Sequence, residues 1–183
     1  MAIYDELMTE ICKKDSSKLS NLLERIGKMG AKDRFQILTQ IDKDGRNYFM
    51  LAMRNQEDPK VLRQCLGLLD SLTAKERLSI LTQIDKDGWS GLHLAIFYQK
   101  TNPSNIIEIL TYLEKLDERD KKKILNYIDS DGWSFLSLIL RYQCNPNVLT
   151  KCIGFSSVLT PGILTSTLSG GSNYLTLAIP VSY

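Results

Sequence analysis

Residues 84–95 read Ile-Asp-Lys-Asp-Gly-Trp-Ser-Gly-Leu-His-Leu-Ala, and the chain repeats this stretch on both sides. Related stretches begin at Ile41 and Ile128, and a degraded fourth copy contains Gly171. The turn glycines of the three clear copies, spaced by 43 and 44 residues, are Gly45, Gly88 and Gly132. A fixed period in the range of about 20 to 50 residues is typical of proteins built from stacked repeats. We expect each glycine to supply a positive φ in a surface turn.

Each repeat carries the start signals of three helices. Two positions after each turn glycine stands a residue that favours helix N-caps: Asn47, Ser90 or Ser134. A second helix is expected where Asp or Asn precedes proline, because proline at the first helical position lacks only an N–H that would have no partner there. These pairs begin at Asp58, Asn102 and Asn145. A third start is the capping box from Thr73 to Glu76, which the segment from Asp117 to Asp120 resembles. We therefore predict a unit of one turn and three helices, with the third helix over residues 74–83 and 118–127.

The repeats divide the chain into one domain of successive units. The predicted units are approximately 1–41, 42–84, 85–128, 129–168 and 169–183. The first unit lacks the glycine turn and is expected to cap the array, whereas the last is only partial. That partial unit indicates either a fragment of a longer protein or a terminal cap.

Composition excludes several classes of function. The chain has 183 residues, 43% of them hydrophobic, and its 23 Lys and Arg against 21 Asp and Glu give a net charge of +2. It is too apolar to be disordered, and it lacks the basic excess expected of a nucleic-acid or membrane-surface binder. No apolar run approaches the length of a membrane span, and acids stand where a secretory signal would carry lysines. The four cysteines form no Cys-x-x-Cys pair and are expected to be reduced core thiols, which favours the cytoplasm.

Catalytic and metal chemistry find little support in the sequence. The Asp-x-Asp-Gly turns do not fit a calcium loop, because the position that requires a bidentate Glu holds Leu51, Leu94 or Leu138. One histidine and scattered cysteines supply too few ligands for zinc and no motif for a nucleophile and base. We therefore predict no enzyme activity, no cofactor and no metal.

The stretch from Asp85 to Ala95 resembles the ankyrin repeat signature Asp-x-x-Gly-x-Thr-Pro-Leu-His-x-Ala, with Ser90 in place of Thr and Gly91 in place of Pro. The copies that begin at Asp42 and Asp129 keep the turn but lose the Pro and the His. Ankyrin units have about 33 residues, so the longer period here leaves room for one more short helix. The resemblance implies an all-α, ankyrin-like solenoid in which His93 ties neighbouring repeats together through loop backbone. An armadillo or HEAT array remains the alternative, since its period of about 40 to 47 residues fits the length.

Two columns of side chains are candidate binding residues. The residue after each turn glycine is Arg46, Trp89 or Trp133, and the end of the first helix holds Tyr98, Gln99, Tyr142 and Gln143. Aromatic and Arg side chains of this kind dominate binding hot spots. Two alternatives stay open: the tryptophans could pack between repeats, and the Tyr-Gln pairs could close the loop to the second helix.

These patterns favour a module that binds a partner protein on the face of turns and first helices. The long, divergent repeats resemble those of ankyrin proteins that intracellular bacteria deliver into host cells, which implies a host-cytoplasmic effector. The alternatives are the substrate-recognition domain of a larger enzyme that continues beyond Tyr183, and a homotypic structural module.

Overall fold

The computed structural model describes residues 3–13, 17–161 and 163, and over these residues the chain is all-α. The helices are α1 (Ile3–Glu10), α2 (Ser17–Gly27), α3 (Ala31–Leu38), α4 (Tyr48–Asn55), α5 (Pro59–Gly67), α6 (Ala74–Leu81), α7 (Gly91–Tyr98), α8 (Pro103–Glu114), α9 (Glu118–Leu125), α10 (Phe135–Tyr142) and α11 (Pro146–Ile153). The predicted unit 169–183, residues 164–168 of the preceding unit and the degraded turn at Gly171 lie outside the described residues.

The helices begin where the local sequence predicts. The side chains of Asn47, Ser90 and Ser134 each accept a hydrogen bond from the backbone N–H three residues later and so cap α4, α7 and α10. Helices α5, α8 and α11 each start with proline after an Asp or Asn cap. Thr73 and Glu76 form the reciprocal capping box of α6. The predicted third helices are confirmed as α6 and α9, each slightly shorter than the sequence suggested.

The first and second helices of the units pack in two rows that follow the sequence period. In the first row α4 contacts α1 and α7, and α7 contacts α10; in the second row α5 contacts α2 and α8, and α8 contacts α11. The two rows meet where α1 packs on α2, α4 on α5 and α10 on α11. Equivalent helices of successive units therefore lie side by side, and identical columns of the sequence come into register.

Burial explains why the two rows have different sequence patterns. Residues 91–96 of α7 are all buried, and this helix packs against first-row neighbours on both sides, α4 and α10. Helix α5 instead buries one stripe, formed by Val61, Leu62, Cys65 and Leu66. The buried side chains from Leu7 to Ile163 form one contiguous hydrophobic cluster. Within the described ranges no helix is long and apolar enough to cross a membrane.

Gly91 is required by this close packing. A Cβ atom at Gly91 would overlap the ring of Phe49, which lies on the neighbouring helix α4. Any larger residue at this position would therefore require Phe49 to move.

Candidate functional site

The three turns share one hydrogen-bonded geometry. In each turn one carboxylate oxygen, Oδ1 of Asp42, Asp85 or Asp129, accepts from the backbone N–H groups two and four residues later, at distances of 2.8–3.1 Å. The turn glycines have positive φ of 83°, 80° and 84° for Gly45, Gly88 and Gly132. Residues other than glycine pay a steric penalty in that region, so the turns need glycine. These Asp side chains serve as internal acceptors for the turn backbone.

Neighbouring turns are tied to one another through backbone carbonyls. The N–H of Lys86 donates to the carbonyl of Asp44 at 2.9 Å. Gln83 and Tyr127 occupy equivalent columns, and their side chains donate to the carbonyls of Gly45 and Gly88 at 3.3 and 2.7 Å. The turns consequently form a continuous, hydrogen-bonded edge along the array.

His93 links the second turn region to the third. Its Nε2 lies 2.9 Å from the carbonyl oxygen of Trp133, and its Nδ1 lies 2.7 Å from Oγ of Ser90. Since a carbonyl can only accept, Nε2 carries the proton and Nδ1 accepts from Ser90. Burial lowers the pKa of His93 and favours this neutral form. With both nitrogens engaged, the imidazole ties the start of α7 to the backbone that follows the third turn.

The four cysteines fall into two buried and two exposed residues. Burial raises the pKa of the Cys65 and Cys152 thiols to about 12, so both stay protonated. Cys12 and Cys144 are exposed, which corrects the expectation that all four cysteines lie in the core. Among the described residues, no cluster of three His, Cys, Asp or Glu side chains could hold a metal ion.

Arg46 is used inside the array. Its Nε donates to Oδ2 of Asp85 at 3.1 Å, and its guanidinium also pairs with Asp44 at 3.0 Å. Only 13% of the Arg46 side chain is exposed, which corrects the prediction that it faces a partner. The equivalent of Arg46 in the next unit is Trp89, which has no guanidinium to offer to Asp129. Oδ2 of Asp129 is buried and has no hydrogen-bond partner.

Gln99 and Gln143 are also internal, contrary to their prediction as binding residues. Both side chains are only 3% exposed. Gln99 donates to the carbonyl of Gln56 at 3.0 Å, and Gln143 donates to the carbonyl of Lys100 at 3.3 Å. Gln56 itself donates to the carbonyl of Ile11 at 2.5 Å. The column is a buried ladder in which each glutamine satisfies the carbonyls that end the preceding first-row helix.

The exposed part of the predicted site is aromatic and cationic. At the carboxyl ends of α4, α7 and α10 lie the residues that we call the aromatic–cation surface: Arg54, Phe97, Tyr98, Lys100, Arg141 and Tyr142. The Phe97 ring packs edge-on against Tyr98 at 5.3 Å and Tyr142 at 5.6 Å between centroids. Arg54 lies 4.6 Å from the centre of the Tyr98 ring, and Tyr98 is 45% exposed. Arg141 lies 5.7 Å from the Tyr142 ring.

The two tryptophans border this surface and are half-buried. Trp89 packs edge-on against Phe97 at 5.1 Å between centroids, and the Arg141 guanidinium lies 5.4 Å from the Trp133 ring. Each tryptophan is therefore fixed partly by its own unit while keeping some area on the surface. Each tryptophan packs against its own unit and also leaves area that a partner can contact.

Sequence reasoning missed several members of the surface. Arg54, Phe97 and Arg141 stand nine positions after their turn glycines, one column before the tyrosines that were predicted. A second missed column consists of Ile41, Ile84 and Ile128, which precede the turns and are 51%, 42% and 42% exposed. Both columns recur at the repeat period, and this spacing is the sequence feature by which they could have been found.

No protein-family model matches the chain, and no curated protein matches its sequence.

Proposed function

We propose that this chain is an ankyrin-like array with an inserted third helix in each unit, and that it binds a partner protein on the face made by the turns and the first-row helices. The binding side chains are those of the aromatic–cation surface together with the exposed parts of Trp89 and Trp133. The proposed function is binding alone, and the single histidine takes a structural role with both ring nitrogens hydrogen-bonded.

The repeat architecture is supported by the way equivalent elements pair. First-row helices contact first-row helices, second-row helices contact second-row helices, and the turns bond to one another. An array of this kind buries its core between units and leaves a long, regular surface. The Asp-x-x-Gly turn followed by a buried Leu-x-Leu-Ala helix favours the ankyrin type over armadillo or HEAT units. Delivery into a host cytoplasm stays a prediction from the resemblance.

The observation that carries the binding proposal is the aromatic–cation surface itself. Tyr98 exposes nearly half of its area although the surrounding core is well filled by smaller apolar side chains. Rings held edge-on by other rings and covered by guanidinium groups lose little freedom when a partner binds, which lowers the entropic cost of association. Arg and Tyr are also enriched at binding hot spots.

A quantitative affinity capture from native cytosol tests the proposal. The bait is the intact chain, compared with a double Tyr98→Ala, Arg141→Ala variant and with Ile153→Ala as the control. Ile153 lies at the end of second-row helix α11 and is 71% exposed, so its truncation removes apolar area away from the proposed face. Truncating hot-spot residues costs about 2 kcal/mol or more in binding.

We expect a specifically enriched protein whose affinity falls for the double variant and not for the control. Melting curves establish that both variants are folded. A partner that binds the double variant with full affinity and is lost with Ile153→Ala would place the binding face on the second row instead.

A further inference from the structure

Three cations of the aromatic–cation surface have no ion-paired acid among the described residues. None of the ion pairs within 4 Å among the described residues involves Arg54, Lys100 or Arg141. The second row is different, because there two cations are matched by acids of a neighbouring unit. Arg63 of α5 pairs with Glu108 of α8, and Lys151 of α11 pairs with Glu114 of α8 at 2.8 Å. Within the described part of the chain, the first-row surface therefore carries three cations that form no ion pair.

These cations are held against rings, which positions them for a ligand. Arg54 lies over Tyr98, Arg141 over Trp133 and Tyr142, and the Nζ of Lys100 lies 5.8 Å from the Phe97 ring. A guanidinium over an aromatic ring still presents its N–H donors at the edge, in the geometry that binds a carboxylate through two hydrogen bonds. The surface therefore presents preorganised N–H donors that suit the carboxylate of a ligand.

We propose that the partner segment that binds here is an extended acidic peptide, an inference that rests on the proposed function and specifies its ligand. Its Asp and Glu side chains pair with Arg54, Lys100 and Arg141, and the residues between them contact Phe97 and Tyr98. Packed helices lie about 8–10 Å apart, and an extended chain advances about 3.3 Å per residue. The cations at the carboxyl ends of α4, α7 and α10 thus match acids that recur about every third residue.

A nucleic acid fits this surface less well than a short acidic peptide. The turns at the other ends of the same helices carry exposed carboxylates, Asp87 and Asp131. A first-row helix of eight residues is about 12 Å long, so a polyanion that ran toward the turns would meet these acids within two helical turns. The turns carry exposed lysines, Lys43 and Lys86, beside these acids, so only the carboxyl ends of the helices present cations away from them. A short segment lying across those ends avoids the repulsion.

The test is a selection of random twelve-residue peptides displayed on phage against the intact chain. Selected peptides are then synthesised with a fluorescent label and measured by fluorescence anisotropy at low and physiological salt. Two charge-matched variants are compared: Arg54→Gln, Lys100→Gln, Arg141→Gln, and the control Lys121→Gln, Lys122→Gln, Lys123→Gln on α9. Each variant loses the same three charges, so a general electrostatic attraction would affect both equally. A labelled oligouridylate of equal length is measured in parallel.

We expect the selected peptides to be enriched in Asp and Glu at intervals of about three residues. Their affinity should fall by about tenfold in the first-row variant, stay within about twofold in the α9 variant, and weaken with added salt. Replacing the acids of a selected peptide by Asn and Gln should abolish the difference between the two variants.

Three results would overturn the acidic-ligand proposal. One is selection of neutral peptides, another is an equal loss of affinity in both charge variants, and the third is tighter binding of oligouridylate than of any peptide at the same surface. If the selected peptides are neutral and their binding is lost in the Tyr98→Ala, Arg141→Ala variant, the proposed binding face stands and only the acidic chemistry fails. If the binding of no selected peptide depends on the three first-row cations or on Tyr98 and Arg141, the proposed function fails as well.

Discussion

The contrast between Asp85 and Asp129 gives a sharp test of how the units are held together. Both residues use Oδ1 to accept two backbone N–H groups of their own turn. Oδ2 of Asp85 also accepts from Arg46, whereas Oδ2 of Asp129 is buried without a partner. The same substitution to Asn therefore has different costs at the two positions.

In Asp85→Asn, the amide group places N–H donors against the Arg46 guanidinium and the charge-assisted bond is lost. The two partners are well shielded, with side-chain exposures of 2% for Asp85 and 13% for Arg46. Hydrogen bonds to charged groups contribute about 1.5–3 kcal/mol, so we expect a loss near the middle of that range. Asp129→Asn gives up the same turn charge but removes a buried carboxylate oxygen that has no donor, which offsets the cost. We predict that Asp85→Asn is more destabilising than Asp129→Asn by about 2 kcal/mol.

Urea unfolding followed by circular dichroism measures this difference, and a thermal melt should show it as a gap of about 4–8 °C for a chain of this size. A double-mutant cycle with Arg46→Gln isolates the pair, and we expect the coupling between Arg46 and Asp85 to account for most of the gap. Equal destabilisation by the two Asn variants, or a coupling below about 0.5 kcal/mol, would refute the reasoning.

Three further predictions concern the turns, the histidine and the glutamine ladder. Gly132→Ala should destabilise the fold by about 1–2 kcal/mol in a urea titration, because the φ of 84° is unfavourable for alanine although no atom lies within 4 Å of the added Cβ. The control Gly67→Ala, at an equally open site on a helix, should instead stabilise the fold by about 0.4–1 kcal/mol. The pKa of His93 is lowered in the folded chain, so the unfolded chain takes up a proton first as the pH falls below 6.5. Unfolding free energies measured from pH 7.5 to 5 should therefore decline more steeply for the native chain than for His93→Gln. Parallel curves would contradict the assigned neutral state. Gln99→Leu should lower the free energy of unfolding by about 1–3 kcal/mol, because the Gln56 carbonyl keeps fewer donors. The affinity of any partner captured through Tyr98 should not change. An undiminished free energy of unfolding would show that the glutamine ladder is dispensable.

Local signals in the sequence predicted the helix starts well. The Asn-Pro and Asp-Pro pairs, the cap residues after each turn and the Thr73 capping box involve atoms within three or four residues of one another. Such interactions are decided by the chain near the residue itself, so the sequence contains what is needed to locate them. The positive φ of the turn glycines belongs to the same class.

The local sequence did not determine whether each candidate site residue is buried or exposed. Gln99 and Tyr98 are adjacent, yet one is buried against the preceding unit and the other is nearly half exposed. A polar side chain at the end of a helix can bind a partner or cap a neighbouring helix, and only the position of that neighbour decides. Arg46 was assigned to the surface for the same reason, since its acceptor Asp85 is 39 residues away.

By itself, the sequence determined the period, the helices and the turns of this protein, because caps, prolines and glycines act through their own backbone and the spacing of the copies is visible directly. The tertiary structure decided which identical columns become interior ties and which remain surface. Stacking brings the end of one first-row helix against the next, so the glutamines turn inward to satisfy carbonyls while the neighbouring rings and cations are left outside. It also created the inequality between Asp85 and Asp129, which depends on the residue that the preceding unit happens to place above each carboxylate.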